Sequence, residues 1–397
     1  MTEYKYKEII NKYALMYVLN HADKYELGKD ALYIGGSLTR DKDSILTLYN
    51  KYLNRLVLDD IDTGKSYIEN RYKRRGDCAR LWSVETSLTN ISRRLRHTIA
   101  REYNIDIDIK NCHPVFLQYF AKNNGLDTPC LDFYIENRDE VIQNILTYFP
   151  DKEKDDIKKQ LLSVINRGDV YLKHDFIYAF SNECKDIESK ICEIKPKLYE
   201  KIKKQKDFNP EGSVINLMLC EMEDNALNVM IKIIECEGLK ITSLAYDGLT
   251  IERTDCDLSS VLGKCEDAIY EQLGVRVRVV EKEMNQYLDL PEDYKKQLFG
   301  KCKCLLEHHK YHTIINLFKD IFNVHIYCVD FLKIISFLYN TMSPGCYIRL
   351  SSSIISGLDR FNESHLDSVY NISGLDHTLD WKWVLRFIPK SKQYLLL

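Results

Sequence analysis

The spacing of apolar residues along the chain predicts mostly helices with a few short strands. Residues 1–75 contain "YKEIINKYALMYVLN", where apolar positions recur at helical spacing, and we expect helices with short loops throughout that region. Residues 130–205 also have a helical pattern, with many charged positions. The segment "INLMLCEMEDNALNVMIKIIECEG" predicts one long amphipathic helix that ends at Gly238.

Period-two alternation predicts the strands. "IDIDI", residues 105–109, has one apolar and one acidic face, and Pro114 follows it. "KITSLAYDGLTIER" predicts a hairpin with Asp247 at its turn; a helix near residues 257–273 and a strand in "VRVRVVEKE" come next. This order predicts an α+β core with a large helical insertion.

Composition indicates where in the cell the protein is expected, but it says little about the activity. The chain has 397 residues, 45% hydrophobic and 29% charged, with a net charge of only −3, so bulk charge neither favours nor excludes a nucleic-acid partner. It has no N-terminal signal pattern, no apolar run of 18 residues and 13 cysteines without a framework of spacings. We expect a protein that is not secreted and not in a membrane, with free thiols, in the cytoplasm or nucleus.

Arginine is concentrated in one part of the sequence. "NRYKRRGDCAR", residues 70–80, has four Arg and one Lys, and Arg93, Arg94, Arg96 and Arg101 follow within about twenty residues. A basic run is most often a solvated face. This density favours contact with phosphates instead.

Two acids, Asp108 and Asp247, are predicted at strand ends about 140 residues apart. If their strands are neighbours the carboxylates converge, and like charges repel unless they share a cation. Oxygen ligands favour Mg²⁺ or Mn²⁺, and two such ions about 4 Å apart catalyse phosphoryl transfer. Asp106 lies on the same face as Asp108 and is the alternative ligand.

Four blocks in this order resemble the DNA polymerase I-like (family A) polymerases. "ARLWSVETSLTNISRRLRHTIARE" keeps the rhythm of that family's Arg-Leu-Ser block, and "IDIDIKNCHP" is similar to motif A, with His113 in place of its Glu. "KDDIKKQLLSVINRG" is similar to motif B, with Asn166 in place of Tyr, and "LAYDGLTIE" to motif C, with Gly248 in place of Glu. "SVET", "CHP" and "YDG" look closer to the compact transposon–virus branch, which is related to phage-type single-subunit RNA polymerases.

The resemblance implies a role for each matched residue. Asp108, Asp247 and the carbonyl of Ile109 would hold two Mg²⁺ ions. Lys158 would bind the triphosphate, with Lys154 one turn earlier on the same face. The remaining matched residues would contact the nucleotide sugar (His113 and Asn166) or the nucleic acid (Arg80, Arg93, Arg94 and Arg96). Glu223 is either a buried partner for a basic residue or a solvated side chain.

The implied fold is a helix-rich palm, fingers and thumb polymerase with an antiparallel palm sheet. Residues 1–75 would be a helical region serving as a reduced thumb, 76–114 the first palm part, 115–220 the fingers and 221–291 the second palm part. Residues 292–397 would be an additional region of unknown role. With about 75 residues before Arg80, we expect no proofreading exonuclease domain.

The expected activity is DNA-dependent DNA synthesis from dNTPs on a primer-template. Polymerases of the transposon–virus branch are often fused to a helicase, so a replicative helicase is an expected partner. An RNA polymerase or primase-polymerase, a non-catalytic nucleic-acid-binding subunit and a two-metal nuclease remain alternatives.

Two further motifs are weaker. "DTGKS", residues 62–66, resembles the end of a phosphate-binding loop, but Asp59 stands where that loop needs Gly. "KCKCLLEHHKYH", residues 301–312, has a Cys-x-Cys spacing tighter than that of zinc knuckles, so we expect incidental residues on a helix.

Overall fold

The computed structural model describes residues 3–28, 32–34, 37–60, 63–75 and 78–298. The predicted C-terminal region therefore lies outside the described residues from 299 onward, as does the cysteine- and histidine-rich segment 301–312. Within the described part, no helix is both long enough and apolar enough to cross a membrane.

The secondary structure combines helices with antiparallel sheets, so the predicted α+β class is confirmed. The elements up to residue 109 are β1 (Tyr4–Asn11), α1 (Lys12–Asn20), β2 (Leu32–Ile34), β3 (Ser37–Thr39), α2 (Lys42–Arg55), β4 (Val57–Leu58), β5 (Lys65–Arg75), β6 (Cys78–Ser83), a 3-10 turn (Leu88–Asn90), α3 (Arg93–Ala100) and β7 (Asn104–Ile109). The later elements are α4 (Cys112–Asn123), α5 (Pro129–Glu136), α6 (Arg138–Tyr148), α7 (Lys154–Ile165), α8 (Asp175–Ile194), α9 (Pro196–Gln205), α10 (Pro210–Cys236), β8 (Ile241–Ala245), β9 (Gly248–Glu252), α11 (Leu258–Leu273) and β10 (Val279–Lys282).

The prediction that residues 1–75 are helical is wrong in part, because β1 to β5 lie there beside α1 and α2. In β5 the buried positions alternate, but two of the four, Ser66 and Asn70, are polar. A strand whose inward face is half polar has no apolar period of two, so its pattern could not be recognised.

Within "DTGKS", Thr63 and Gly64 lie between β4 and β5, and Lys65 and Ser66 belong to β5. Gly64 has a φ of 80°, and Lys65 begins a strand. A phosphate-binding loop needs a helix N-terminus at that point, so this segment is not one.

The chain forms two compact units. One contains residues 1–5, 71–84 and 105–283, and the other contains residues 6–70, 85–104 and 284–397. The segment 76–114, expected as one palm piece, is therefore divided between them.

The second unit, residues 6–70, 85–104 and 284 onward, is built around the end of β1 and helix α1. Asn11 caps α1 by accepting a hydrogen bond from the Ala14 amide at 2.9 Å. Glu8 is fully buried and accepts hydrogen bonds from the Tyr52 hydroxyl at 2.8 Å and from the Leu88 amide. Its burial is thereby compensated by donors from two other segments of the unit.

The first unit, which contains residues 71–84 and 105–283, combines an antiparallel sheet with helices α4 to α11. The strand order is β10-β7-β9-β8, so strands that are distant in sequence lie side by side. The predicted strand at 105–109, the hairpin, the helix near 257–273 and the strand β10 are all confirmed.

Helix α10 forms the centre of this unit. Its apolar face is buried along most of its length, with Val214, Met218, Leu227 and Ile231 at helical spacing. It ends at Cys236, and Gly238 follows with a φ of 74°, as predicted from the sequence. Helices α4, α8, α9 and α11 and the strand β6 all pack against α10.

Glu188 on α8 is a buried carboxyl with little compensation. Its side chain is fully buried, and neither oxygen has a hydrogen-bond partner in the part of the chain that the structure describes. Arg167 Nη1 lies 3.6 Å away. Burial raises the pKa of Glu188 to about 8, Glu211 adds to the rise, and Arg167 and Lys185 oppose it.

This predicts that stability falls as the pH rises. Between about pH 4.5 and pH 8 the folded chain keeps a proton on Glu188 that the unfolded chain has lost, so each pH step favours unfolding. Glu188→Gln mimics the protonated acid, and it should stabilise the protein by roughly 1–4 kcal/mol at pH 8.5 and by much less at pH 4.5. Denaturant unfolding at both pH values measures the difference.

Glu193→Gln is the matched control, because Glu193 lies on the same helix with a side chain that is 66% exposed. Its effect should be small at both pH values. A Glu188→Gln effect that does not change with pH would contradict the prediction.

Candidate active site

The turn between β8 and β9 carries Asp247 to the end of β7. Tyr246 adopts a left-handed conformation with a φ of 58°, which reverses the chain. The Asp247 carbonyl oxygen then accepts a hydrogen bond from the Ile109 amide at 3.2 Å. The turn is therefore fixed to the strand that carries Asp108.

Gly248 allows the two strands to approach closely. A Cβ atom at this position would lie 2.3 Å from the Ile107 carbonyl oxygen and 3.2 Å from both the Cα and Oδ1 of Asp108. No side chain fits there, and only glycine permits such close backbone contact. The Glu that the resembled family has at this position would therefore collide with β7 in this chain.

Asp108 and Asp247 consequently lie at the same end of the sheet, on adjacent segments. Asp108, rather than Asp106, is the acid next to the hairpin, because its Cα and Oδ1 are the atoms that approach Gly248. In the register of β7 with β10, Asp106 is paired with Lys282 and Asp108 with Val280. The Lys282 ammonium nevertheless reaches the Asp108 carboxylate and forms an ion pair with it.

The electrostatic effect of this arrangement is seen in the pKa of Asp247. Burial raises the pKa of Asp247 to about 8, and the charges of Asp108 and Glu223 add to the rise. Lys282 and a backbone hydrogen bond lower the pKa by less. Burial and the same three acids also raise the pKa of the Cys112 thiol. The site thus disfavours ionisation of Asp247, and a bound cation would favour its ionised form.

Arg80, Glu223 and His113 form a hydrogen-bonded cluster in the same unit. The Arg80 Nε donates to Glu223 Oε1 at 2.7 Å, and its Nη2 donates to Oε2 at 2.6 Å. The His113 Nε2 is 2.9 Å from the same Oε2. The same Nε2 is 3.1 Å from Arg80 Nη2. The Nε2–H tautomer of His113 donates to the Glu223 carboxylate, whereas the other tautomer accepts from Arg80.

The Arg80 guanidinium also contacts the hairpin turn. Its Cζ lies 5.0 Å from the centre of the Tyr246 ring, and the Trp82 ring packs edge-on against Tyr246 with centroids 5.6 Å apart. These contacts connect β6 to the turn that bears Asp247.

The two candidate lysines lie on α7, as their spacing predicts. Lys154 donates to Asp139 at 2.6 Å, and Lys158 donates to Asp155 at 3.0 Å. Lys154, followed by Arg138 and Lys110, lowers the pKa of Asp139. Lys110, the residue after β7, thus acts on the same acid that Lys154 binds.

Asn166 and His113 contact helix α10 at different points. Its amide Nδ2 donates to the Leu162 carbonyl at 2.9 Å, and its Oδ1 accepts from Asn216 at 3.2 Å. Asn216 and Glu223 are seven residues apart on α10, which is about 10 Å along the helix. The pair expected to flank one sugar is therefore held about two helical turns apart.

The arginines predicted to bind nucleic acid fall in different units. Arg80 belongs to the unit that contains the acids, whereas Arg93, Arg94 and Arg96 lie on α3 in the other unit. Arg93 is exposed, and Arg94 and Arg96 are half-buried.

Three contributors to the site were not predicted. Lys282 carries no recognisable motif, Cys112 lies in the "CHP" stretch without an assigned role, and the sequence allows Glu223 to be either buried or solvated. The only sequence signal for Glu223 is its place among the inward-facing positions of the long helix. No group of three or more acid, cysteine or histidine side chains that could hold a metal ion occurs in the described ranges. A cation here would thus be held by two carboxylates and by backbone or substrate oxygens, as is usual for Mg²⁺.

Comparisons with known proteins give partial similarity. No family model matches the chain. A protein of Sputnik virophage named "Putative helicase V13" is 25% identical over an alignment of 261 residues, and the match covers 62% of this chain and 31% of that protein. The chain thus spans about a third of the length of this relative.

A solved structure, the POL domain of Pol1 from M. smegmatis in complex with DNA primer-template and dNTP, is 13% identical. Its TM-score is 0.39, and the match covers 61% of this chain and 51% of that chain. Neither similarity assigns the chain to a family.

The close approach at Gly248 gives a direct structural test. Gly248→Ala should destabilise the protein by about 1–3 kcal/mol, because its methyl group collides with the Ile107 carbonyl. Gly263→Ala, inside α11 where an added methyl group would meet open space, should instead stabilise it by about 0.5–1 kcal/mol. Chemical denaturation of both variants measures the two signs, and a harmless Gly248→Ala would show that the strands are farther apart.

Proposed function

We propose that this chain is a template-directed nucleotidyltransferase, a DNA-dependent DNA polymerase of the family A type. The observation that supports it is the convergence of Asp108 with Asp247 where Gly248 meets β7. These are the acids of the two motifs that resemble motifs A and C. In this proposal the β7–β10 sheet is the palm, helices α4 to α9 are the fingers, and the region before β6 contributes a reduced thumb.

The donor set at the acid pair fits Mg²⁺ or Mn²⁺. Asp108 and Asp247 would hold two ions, with the Ile109 carbonyl as a further ligand. When bound, these ions would lower the pKa of the primer 3′-hydroxyl and neutralise the charge that develops on the departing pyrophosphate. The negative charge that raises the pKa of Asp247 favours cation binding at this point.

The chain's own residues would position the substrates. Lys158 and Lys154 would bind the triphosphate of the incoming dNTP in exchange for their present acid partners. Arg80 would contact the primer or template beside the site, and His113 would lie beneath the sugar. Arg93, Arg94 and Arg96 would bind phosphates of the primer-template.

A helicase is the proposed partner of this activity. The matched virophage protein is named as a helicase, and more than two thirds of its length lies outside the matched part. A polymerase segment joined to a helicase would account for this partial match. The turn and strand at "DTGKS" argue against a helicase motor at that segment of this chain.

Primer extension tests the proposal. The wild type should extend a primer on a template with dNTPs and Mg²⁺, and Asp108→Asn and Asp247→Asn should each lose roughly 100-fold or more. Asp106→Asn, on the same strand and the same face, is the matched control and should stay within about threefold of the wild type. The measurement is the rate of single-nucleotide incorporation.

Other outcomes identify the alternatives. Chains that start from ribonucleotides without a primer would show an RNA polymerase or primase-polymerase. Binding of primer-template without synthesis from either nucleotide class would show a non-catalytic subunit, and metal-dependent cleavage of the template would show a nuclease.

The α7 lysines give a second prediction. Lys158→Ala should lower kcat/KM for the dNTP by about 10- to 100-fold, because it removes charge from the triphosphate site. Lys159→Ala should change it less than about twofold, although Lys159 also pairs with the acid three residues before it; its side chain is 73% exposed, against 31% for Lys158. Steady-state incorporation kinetics distinguish them, and equal losses would contradict a specific role for Lys158.

A further inference from the structure

The Glu223 carboxylate is the centre of the hydrogen-bonded cluster that contains His113. It is 1% exposed, accepts two hydrogen bonds from Arg80, and lies 2.9 Å from His113 Nε2, which is also 3.1 Å from Arg80 Nη2. All three lie in the unit that carries Asp108 and Asp247. Burying a carboxylate costs free energy unless its oxygens accept hydrogen bonds, so these contacts compensate the burial of Glu223.

The contact between Glu223 and His113 involves a residue of the segment that resembles motif A. His113 lies five residues after Asp108, at the start of α4, where the resembled motif has a Glu. In this chain the motif strand supplies an imidazole, and the acid comes from α10 instead. Residue 113 itself carries no carboxylate, but the carboxylate of Glu223 lies 2.9 Å from the His113 ring.

We propose that Glu223 is a positioning residue for sugar selection, which holds the His113 ring where it excludes a 2′-hydroxyl from the incoming nucleotide. This inference rests on the proposed polymerase function. A free imidazole rotates among several side-chain conformations, and a ring that moves aside excludes nothing. The bond to a buried carboxylate fixes His113 in one conformation, and 14% of the His113 side chain remains exposed.

A second contact supports a role beyond packing. Arg80, held in a bidentate pair by Glu223, lies over Tyr246 next to Asp247. Through Arg80, the Glu223 carboxylate is thus connected to the turn that bears Asp247 as well as to His113.

Asp224 supplies a matched control on the same helix. It forms a comparable buried pair with Arg74, whose Nε donates to it at 3.0 Å, and its side chain is 4% exposed. Both acids thus hold an arginine from the β5–β6 hairpin, and no contact of Asp224 with His113 occurs among the described hydrogen bonds. Loss of either pair should destabilise the hairpin, but only loss of the Glu223 pair should change the preference for dNTP over rNTP.

The experiment measures kcat/KM for dNTP and rNTP incorporation on one primer-template. Glu223→Gln should raise the rNTP-to-dNTP ratio roughly tenfold, because the neutral amide loses the strong charge-assisted bonds to His113 and Arg80. Asp224→Asn should leave the ratio unchanged while lowering Tm by a similar amount. Glu223→Asp keeps a negative charge near Arg80, but its shorter side chain moves the carboxylate away from His113, so this variant should also raise the ratio. It replaces the Gln variant in the test if that variant does not fold.

A double variant tests whether Glu223 acts through His113. His113→Ala should itself raise the ratio at least about tenfold, and adding Glu223→Gln should raise it no further, because the two residues act as one unit. Additive effects, or an unchanged ratio in both Glu223 variants, would overturn the inference.

The same assay distinguishes a failure of the Glu223 inference from a failure of the proposed polymerase function. No synthesis by the wild type from either nucleotide class would refute the proposed polymerase. Wild-type synthesis that already prefers rNTPs would leave a polymerase but refute the role of Glu223 in exclusion.

Discussion

Burial of neighbouring carboxylates governs this end of the molecule. Burial raises the pKa of Asp247 most, and the charges of Asp108 and Glu223 raise it further, to about 8 in all. Two cationic side chains compensate part of this charge: Lys282 pairs with Asp108, and Arg80 pairs with Glu223. Only Asp247 has no such ion pair among the described residues. Asp247 is therefore the acid whose ionisation a cation bound at the turn would favour most.

Backbone packing produces this charge arrangement. The strands approach so closely at Gly248 that a methyl group would meet the Ile107 carbonyl, and the Ile109 amide bonds to the Asp247 carbonyl. These contacts do not depend on side-chain conformation, so the two acids cannot move apart without breaking the sheet. Rigid positioning of this kind is what electrostatic catalysis requires.

Helix α10 connects the candidate site to the rest of its unit. Successive positions hold Arg80 through Glu223 and Arg74 through Asp224, and Asn216 two turns earlier holds Asn166 at the end of α7. The hairpin β5–β6, the end of α7 and the start of α4 are thus all attached to one face of one helix. A shift of α10 would change the surroundings of His113 and Asn166 together.

The sequence determined the local elements and the candidate acids. Alternation in "IDIDI", the hairpin around Asp247 and the long helix before it were recognisable because each is encoded by neighbouring residues. It did not predict β5, because the buried face of this strand includes the polar residues Ser66 and Asn70 and so has no apolar period of two. Tertiary structure alone decided that Asp108 rather than Asp106 approaches the turn, because both lie on the same face of β7 and only the register with β9 separates them. It also decided that Glu223 bonds to His113, 110 residues away, and that Asn166 does not lie beside that ring, since such contacts arise from packing around α10 and leave no local pattern.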